Sequence, residues 1–295
     1  MTDYLPFDPH PRSPDPLPPV LACDSQFHVF GPESKYPTQP NAAYTMPSAN
    51  WETARELHRT LGIQRGVIVQ ATTYGADHSV VLDALQGLNA GHASRRYLGC
   101  ANAAVLVERD EAYLQKLHDA GVRGARFSRA GLGITLTPAQ LQRALAIVTE
   151  LGWYVKVQPS PAGIVDQLTD FQGLDIPVVF DHMGRPNPEL GARDPSLERL
   201  VELLRNENFW VMLSLSEKIS TKGQPWDDVV PVAQTLIDVA PLRCIWGSDW
   251  PHPISTKQPP NEGDLLELLY RFAPDAAALH RILVSNPAHL FGFDE

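Results

Sequence analysis

The sequence has few cysteines, no long apolar run and no excess of positive charge. Its three cysteines, Cys23, Cys100 and Cys244, lie far apart and beside apolar segments, so we expect buried, reduced thiols and no cysteine zinc site. No apolar run reaches the roughly 20 residues of a membrane span, and the N-terminus lacks the order of charges and apolar residues typical of a signal peptide. These features predict a cytoplasmic protein without a membrane partner.

The charge balance is acidic, with 24 Lys and Arg against 34 Asp and Glu and a formal net charge of −10. Such a chain is poorly matched to a phosphate backbone, so we expect no nucleic-acid partner. The net charge does not argue against an anionic small molecule, because the local charge of a pocket need not follow that of the whole chain.

Short β-rich apolar runs alternate with helical patterns along most of the chain. The eight runs are 21–30, 66–72, 97–103, 121–128, 154–159, 177–184, 209–216 and 244–250. Alternation of this kind indicates parallel strands joined by right-handed crossovers, and eight units in about 250 residues fit one closed (β/α)8 TIM barrel. An open doubly wound sheet ranks second, because no Gly-rich nucleotide turn follows the first run.

We divide the chain into two parts, residues 1–20 and residues 21–295. The first is a Pro-rich arm without periodicity, MTDYLPFDPHPRSPDPLPPV. We expect it to be extended and to lie on a surface or on a neighbouring subunit, with a disordered tail as an equal alternative. The second part is the barrel domain. A homo-oligomer and a monomer both stay open.

Polar side chains gather at the ends of the predicted strands, where barrel enzymes place their active sites. Residues two apart on a strand point to one face, and four such pairs occur here: Gln26 with His28, Arg126 with Ser128, Lys156 with Gln158, and Ser214 with Ser216. His182 and Asp249 end the sixth and eighth runs. Any one of these residues is more often structural, but the joint set predicts an active site, because each buried polar group needs a partner.

Three motifs carry a resemblance to the amidohydrolase superfamily, in its second large branch. Asp24-Ser25-Gln26-Phe27-His28 is similar to the first-strand motif, Phe180-Asp181-His182-Met183-Gly184 to the sixth-strand histidine motif, and Trp246-Gly247-Ser248-Asp249-Trp250-Pro251-His252 to the eighth-strand aspartate motif. The resemblance extends from about Cys23 to Phe291. Within the superfamily, the chain most resembles the 2-pyrone-4,6-dicarboxylate lactonases and related lactone-processing enzymes. It implies a metal-independent hydrolase of aromatic catabolism that acts on a small anionic lactone.

The departures from the superfamily pattern concern the metal. The first-strand pair is Gln26-x-His28 instead of His-x-His, and the fifth strand offers Lys156 where metal-using relatives place a histidine. An amide is a poor metal ligand beside imidazole, and nearby cations oppose a bound metal ion. We therefore expect no catalytic metal and no other cofactor, although His28, His182 and Asp249 offer three ligands for a single ion.

The resemblance implies roles for the strand-end residues. Asp249 is the general base that activates water, while His182, helped by His28, polarises the lactone carbonyl. Several cations around one mouth fit a substrate that carries carboxylates, although some of them could instead pair with acidic residues such as Asp24 or Asp181. Arg185 is interpreted as structural. The expected substrate-binding residues are Gln26, Tyr44, Thr72, Tyr74, Arg126, Arg129, Lys156, Gln158, Lys218 and His252.

Other functions stay open. A sugar-diacid lactone isomerase would use the same base to deprotonate a substrate hydroxyl, and a sulfonated muconolactone is a further substrate for hydrolysis. A metal-dependent decarboxylase predicts bound metal and loss of activity with chelators. A non-catalytic barrel predicts ligand binding without turnover.

Overall fold

An eight-stranded parallel sheet, with the strands in sequence order, forms the centre of the computed structural model, which describes residues 4–132, 135–164 and 169–293. The strands are β1 Cys23–Phe27, β2 Arg65–Val69, β3 Tyr97–Asn102, β4 Val122–Ser128, β5 Tyr154–Gln158, β6 Val178–Phe180, β7 Phe209–Leu213 and β8 Cys244–Trp246. Just past β8, the Asp249 amide donates to the Gln26 carbonyl at 2.9 Å and the His28 amide donates to the Trp250 carbonyl at 2.7 Å. These bonds join the last strand to the first, and the predicted (β/α)8 barrel is confirmed.

Helices pack on the outside of the barrel through apolar faces. The α-helices are α1 Trp51–Leu61, α2 Ser79–Asn89, α3 Val105–Glu108, α4 Glu111–Ala120, α5 Pro138–Glu150, α6 Pro195–Leu203, α7 Ser216–Ile219, α8 Val230–Val239, α9 Glu262–Phe272, α10 Ala276–His280 and α11 Asn286–Phe291. In α5 a capping box of Thr137 and Gln140 begins the helix, and the buried residues recur at helical spacing from Leu141 to Val148. Across the described ranges, no helix has both the length and the hydrophobicity needed to cross a bilayer.

Seven of the eight strands end earlier than the apolar runs that predicted them. The sixth run extends to residue 184 but β6 ends at Phe180, and the eighth extends to residue 250 but β8 ends at Trp246. The backbone after β6, β7 and β8 adopts positive φ, with 57° at His182, 64° at Leu215 and 61° at Asp249. A left-handed residue cannot continue a strand, so these turns end the ladder and direct the three side chains to one cavity.

All three cysteines are buried and free, as the sequence predicted. Burial raises the pKa of the Cys100 thiol to about 11, and the pKa values of Cys23 and Cys244 rise for the same reason. These thiols are therefore protonated at neutral pH and pack as small apolar side chains.

The first described residues of the N-terminal arm lie at the carboxyl end of their own barrel. The Leu5 amide donates to the Ser255 carbonyl at 3.0 Å, and the Phe7 ring lies 4.8 Å from that of Trp250. Further along, Arg12 pairs with Asp264 in α9 at 2.6 Å. Residues 4–7 therefore pack at the end of the barrel at which the polar strand ends meet, and the arm then follows α9 as far as Tyr270, whose hydroxyl donates to the Pro16 carbonyl.

Candidate active site

A cavity of about 110 Å³ lies at the carboxyl ends of the strands, where the sequence predicts the active site. Its wall combines charged, imidazole and apolar side chains. The lining residues are His28, Tyr44, Ala130, Leu132, Gln158, Pro161, His182, Arg185, Leu215, Lys218, Asp249, Pro253 and Ile254. Side chains that follow β1, β5, β6, β7 and β8 therefore meet in one place, as expected for a barrel enzyme.

The Asp249 carboxylate is the centre of this polar cluster. Its Oδ1 accepts a hydrogen bond from Gln26 Nε2 at 2.7 Å and lies 3.3 Å from His28 Nε2. Burial by itself raises the pKa of this carboxyl, but the hydrogen bond with His28 and the electrostatic interactions with His182 and Lys218 hold the pKa of Asp249 well below its ordinary value. The carboxylate is therefore ionised at neutral pH. Because Gln26 and His28 both contact it, the prediction that they share one face is confirmed.

The two histidines differ in their surroundings. His28 Nδ1 lies 2.7 Å from the Val69 carbonyl oxygen, and its other nitrogen faces Asp249. Both partners are hydrogen-bond acceptors. His182 Nδ1 lies 2.9 Å from the Ser214 hydroxyl, and burial lowers the pKa of His182 to about 4. His182 is therefore a neutral imidazole at neutral pH.

Two cations line the cavity wall. Lys218 Nζ donates to the Pro253 carbonyl at 2.9 Å. Arg185, which the sequence analysis interpreted as structural, lies on the same wall. The turn that places it has positive φ at Met183 and at Arg185 itself, so its direction could not be obtained from strand periodicity. Its position three residues after His182 was the available signal.

A smaller cavity of about 30 Å³ adjoins the first and holds three further expected residues, Thr72, Arg126 and Arg129. The Arg126 guanidinium donates to the Gln70 carbonyl at 2.9 Å and is buried. Arg129 pairs with Asp170 at 2.9 Å. The boundary between the cavities is bridged by Thr72, whose hydroxyl donates to Tyr44 Oη at 3.3 Å.

Gln158 also stands at that boundary, because its Oε1 accepts a hydrogen bond from Ser128 at 2.7 Å. Gln158 lines the first cavity, and Ser128 lines the second.

Four expected substrate contacts line neither cavity: Gln26, which is buried against Asp249, and Lys156, Tyr74 and His252. Lys156 is 1% exposed, and its ammonium lies 2.6 Å from the Asp181 carboxylate. Tyr74 packs against Phe30, and burial raises the pKa of its hydroxyl to about 12. In the described part of the chain, neither cavity wall includes these side chains. The structure therefore does not bring these side chains to either cavity wall, and their contact with substrate stays a prediction.

His252 belongs to a buried ionic cluster. Its Nδ1 lies 3.2 Å from Glu217 and its Nε2 lies 3.3 Å from Glu262. Burial lowers the pKa of this imidazole, but the two carboxylates outweigh burial and raise the pKa to about 9. His252 is therefore a cation that ties the segment after β8 to α7 and α9.

A second buried carboxylate, Asp24, fixes the junction between β1 and β8. Its Oδ1 accepts from the Ser248 amide at 2.9 Å and from the Gln26 amide at 3.1 Å. Its Oδ2 accepts from the Ser248 hydroxyl at 2.5 Å and lies 3.3 Å from His58 Nε2. Asp24 thus positions Ser248, which precedes Asp249, and Gln26, which contacts it. The sequence analysis had allowed that Asp24 pairs with one of the cations at the barrel mouth.

The side chains do not fit a resident divalent metal ion. Among the described residues, no group of three or more His, Cys, Asp and Glu side chains is arranged to hold one. Gln26 donates its amide N–H to Asp249, and the cations Lys218 and Arg185 lie on the wall of the same cavity. The positive charges of these two side chains oppose the binding of another cation in this cavity.

An eight-stranded parallel barrel with histidines after β1 and β6 and an aspartate after β8 is an amidohydrolase-type barrel. The chain belongs to the amidohydrolase family, whose family profile matches residues 23–293. The resemblance inferred from the three sequence motifs is thereby confirmed, and the protein is an enzyme of this family.

Three relatives match almost the whole chain. It is 39% identical to the 4-sulfomuconolactone hydrolase of Hydrogenophaga intermedia, over 93% of this chain and 89% of the relative. It is 33% identical to the 2-pyrone-4,6-dicarboxylate hydrolase of Comamonas testosteroni, over 97% and 95%. It is 31% identical to the D-galactarolactone isomerase of Agrobacterium fabrum, over 95% and 94%.

Proposed function

We propose that the protein hydrolyses a small anionic lactone, such as 2-pyrone-4,6-dicarboxylate or a sulfonated muconolactone, without a metal ion. The observation that carries this proposal is the ionised Asp249 carboxylate, held by Gln26 and His28 in the wall of a cavity that it shares with neutral His182 and cationic Lys218. Two relatives named as lactone hydrolases support the reaction type.

In the proposed reaction, Asp249 removes a proton from a water molecule while the water oxygen adds to the lactone carbonyl carbon. Gln26 and His28 both contact Oδ1, so Oδ2 is the oxygen that we assign to the water. The tetrahedral intermediate then expels the ring oxygen, which takes the proton from Asp249. The products are a hydroxyl or enol group and a carboxylic acid, which releases the second proton of the water to the solvent and becomes a carboxylate. Asp249 is again ionised.

His182 supplies the electrophilic assistance in this scheme. A Ser214 hydroxyl that donates to Nδ1 leaves the ring proton on Nε2, where it can donate to the carbonyl oxygen as negative charge develops. Because burial lowers the pKa of His182 to about 4, the ring is neutral at neutral pH. It assists the reaction as a hydrogen-bond donor. His28, whose Nε2 lies 3.3 Å from Asp249 Oδ1, helps His182 to polarise the carbonyl group.

A carboxylate whose pKa is held low is a weak base, and the substrate offsets this weakness. An anionic lactone brings like charge next to Asp249, and like charge disfavours the ionised form. The pKa of Asp249 is therefore expected to rise in the complex. The base becomes stronger when a substrate is present to use it.

The anionic groups of the substrate have several partners. Lys218 and Arg185 line the main cavity, while Arg126 and Arg129 line the adjoining one. Arg pairs with a carboxylate through two parallel hydrogen bonds, and Lys supplies a compact point charge. Tyr44 and Thr72, between the two cavities, offer hydroxyl groups. This distribution favours a substrate with anionic groups on opposite sides of the ring.

The test is turnover of 2-pyrone-4,6-dicarboxylate, a sulfomuconolactone and a galactarolactone by purified protein, with bound metal quantified in the same sample. We expect hydrolysis by metal-free protein that chelator does not inhibit and that Asp249→Asn removes. Stoichiometric metal with chelator-sensitive activity would contradict the metal-free reaction and favour a decarboxylase. Ligand-induced stabilisation without any turnover would favour the non-catalytic barrel.

A lactone isomerase is the second candidate, favoured by the 31% identity to a D-galactarolactone isomerase. Asp249 would then deprotonate a hydroxyl group of the substrate, and that oxygen would attack the carbonyl within the same molecule. The two reactions differ in the origin of the attacking oxygen, which comes from water only in hydrolysis.

A further inference from the structure

The first residues of the N-terminal arm contact two segments of the active-site wall. The Tyr4 ring packs edge-on against Tyr44, with ring centroids 6.5 Å apart and planes at 85°. The Phe7 ring lies 4.8 Å from that of Trp250. Between them, the Leu5 amide donates to the Ser255 carbonyl at 3.0 Å. Three contacts within four residues therefore hold the arm to this end of the barrel.

The segments that the arm contacts face the proposed base. Tyr44 lines the main cavity. Trp250 follows Asp249 directly and is 1% exposed, and the same segment continues through Pro253 and Ile254, which also line the cavity. We call residues 249–255 the eighth-strand loop. Its position determines where the Asp249 carboxylate lies relative to the opposite wall.

The arm is anchored further along by a specific set of polar contacts. Asn261 Nδ2 donates to Asp8 at 2.8 Å and to the His10 carbonyl at 3.0 Å, and the Arg12 amide donates to Asn261 Oδ1 at 2.9 Å. The Arg12 side chain pairs with Asp264 and Glu267, each at 2.6 Å.

The packing beneath this anchor is close. A Cβ atom on Gly263 would lie 2.3 Å from the Arg12 carbonyl oxygen, so the arm approaches the start of α9 more closely than any side chain allows. The path of the arm is therefore matched to the surface beneath it.

We propose that Tyr4 and Phe7 are positioning residues for the reaction, because their rings brace Tyr44 and Trp250 and so hold two walls of the cavity around Asp249. The family profile begins its match at residue 23, and the arm precedes that match. The kinetic part of this inference rests on the proposed function, whereas the bracing of the walls does not.

Removal of a bracing ring leaves space into which Tyr44 or Trp250 can move. A shift of the eighth-strand loop displaces the Asp249 carboxylate, and a misplacement of about 1 Å can cost roughly a hundredfold in rate. Loss of the Phe7 ring is therefore expected to lower kcat. Loss of the Tyr4 ring acts on Tyr44, away from the base, and is expected to raise KM.

The kinetic experiment compares Phe7→Ala and Tyr4→Ala with the conservative variants Phe7→Leu and Tyr4→Phe. We expect kcat/KM to fall roughly tenfold to a hundredfold in the alanine variants, as for a small misplacement of reacting groups, and to recover in the conservative variants. Leu17→Ala is the matched control, because Leu17 is on the same arm and 61% exposed. Its kinetics should match those of the wild type.

The second measurement is amide hydrogen exchange, which needs no substrate. We expect faster exchange in the 249–255 loop for Phe7→Ala and in residues 40–47 for Tyr4→Ala, with no change for Leu17→Ala. If the wild-type protein turned over no lactone, the proposed function would fail, and exchange alone would decide the bracing role. If Phe7→Ala did not fold, Phe7→Leu and Tyr4→Ala would be measured in the same way.

The proposal is overturned if the alanine variants fold and show wild-type exchange in both segments. It is also overturned if Tm falls while kcat and KM, measured well below Tm, stay unchanged. In that case the arm only stabilises the barrel and has no part in positioning.

Discussion

Asp249 accepts a hydrogen bond from Gln26, lies beside His28 and carries the proposed reaction, so its charge is the first property to remove. Asp249→Asn keeps the shape of the side chain and an oxygen for Gln26 but removes the base. We expect kcat to fall by about 10²- to 10⁴-fold, the usual contribution of general base catalysis. The measurement is kcat at saturating lactone. Asp238→Asn, an exposed aspartate in α8, is the matched control, and an Asp249→Asn enzyme of normal rate would contradict the assignment.

The pH dependence of kcat/KM follows from the same residues. The reactive forms are the ionised Asp249 and the neutral His182, and acid protonates both. The pKa of His182 is lowered from 6.5 to about 4, mainly by burial, and the pKa of Asp249 also lies below its ordinary value. Activity should therefore persist through pH 6.5 and fall only as the pH approaches about 4. A loss centred at 6.5 that His182→Gln abolished would contradict this account.

Lys218 is expected to act on binding. Its ammonium lines the cavity and is fixed by the Pro253 carbonyl, so Lys218→Met removes one charge from the anion site and leaves the base in place. We expect KM to rise roughly tenfold to a hundredfold, since a hydrogen bond to a charged group contributes about 1.5–3 kcal/mol. Initial rates against lactone concentration measure this. Lys222→Met, an exposed residue four positions further along, should leave KM unchanged.

His252 connects three elements of the fold. It joins the eighth-strand loop to α7 through Glu217 and to α9 through Glu262. His252→Gln removes the cation and leaves two buried carboxylates unpaired. Loss of one member of a buried ionic group costs about 3–5 kcal/mol. We expect the free energy of unfolding in denaturant to fall by that order, while His280→Gln, on the exposed side of α10, has little effect.

The same cluster gives stability a pH dependence of known sign. The pKa of His252 is raised from 6.5 to about 9 in the folded protein, where Glu217 and Glu262 outweigh burial. The folded state thus binds the proton more tightly than the unfolded state. The resulting stability is complete below pH 6.5 and is lost as the pH rises through about 9. This decline should be absent in His252→Gln, and an equal decline in both proteins would assign it to other groups.

The strands could be predicted from the sequence, but their ends could not. Buried parallel strands form continuous apolar runs, and each of the eight runs overlaps one strand. The residues after β6, β7 and β8 mix polar side chains with apolar or aromatic ones, so the runs show no clear end, yet His182, Leu215 and Asp249 adopt positive φ. Periodicity carries no information about such turns, so the runs extended beyond the strands.

At the scale of the whole molecule, the residues that sequence reasoning placed correctly were those fixed by local order along a strand. His28, His182 and Asp249 come to one cavity because the carboxyl ends of parallel strands meet there. Lys156 and His252 were expected at the substrate. Lys156 instead pairs with Asp181, an alternative that the sequence analysis had left open. His252 lies beside Glu262 at the start of α9, and no local pattern predicts that pair.

The course of the N-terminal arm is a second property of the whole molecule. Its composition predicts an extended segment, but its contacts with Tyr44, Trp250 and α9 depend on surfaces built from the rest of the chain. Proline fixes the local backbone conformation and does not specify which surface the segment covers.

The origin of the attacking oxygen tests the central claim most directly. The metal-free enzyme would be allowed to act on a dicarboxylate lactone in ¹⁸O-labelled water, with the product analysed by mass spectrometry and Asp249→Asn treated in parallel. Hydrolysis with Asp249 as the base predicts an opened product that carries one labelled oxygen in its new carboxylate, formed by the wild-type protein and not by the variant. An isomerised lactone without label, or labelled product formed equally by the variant, would contradict the account.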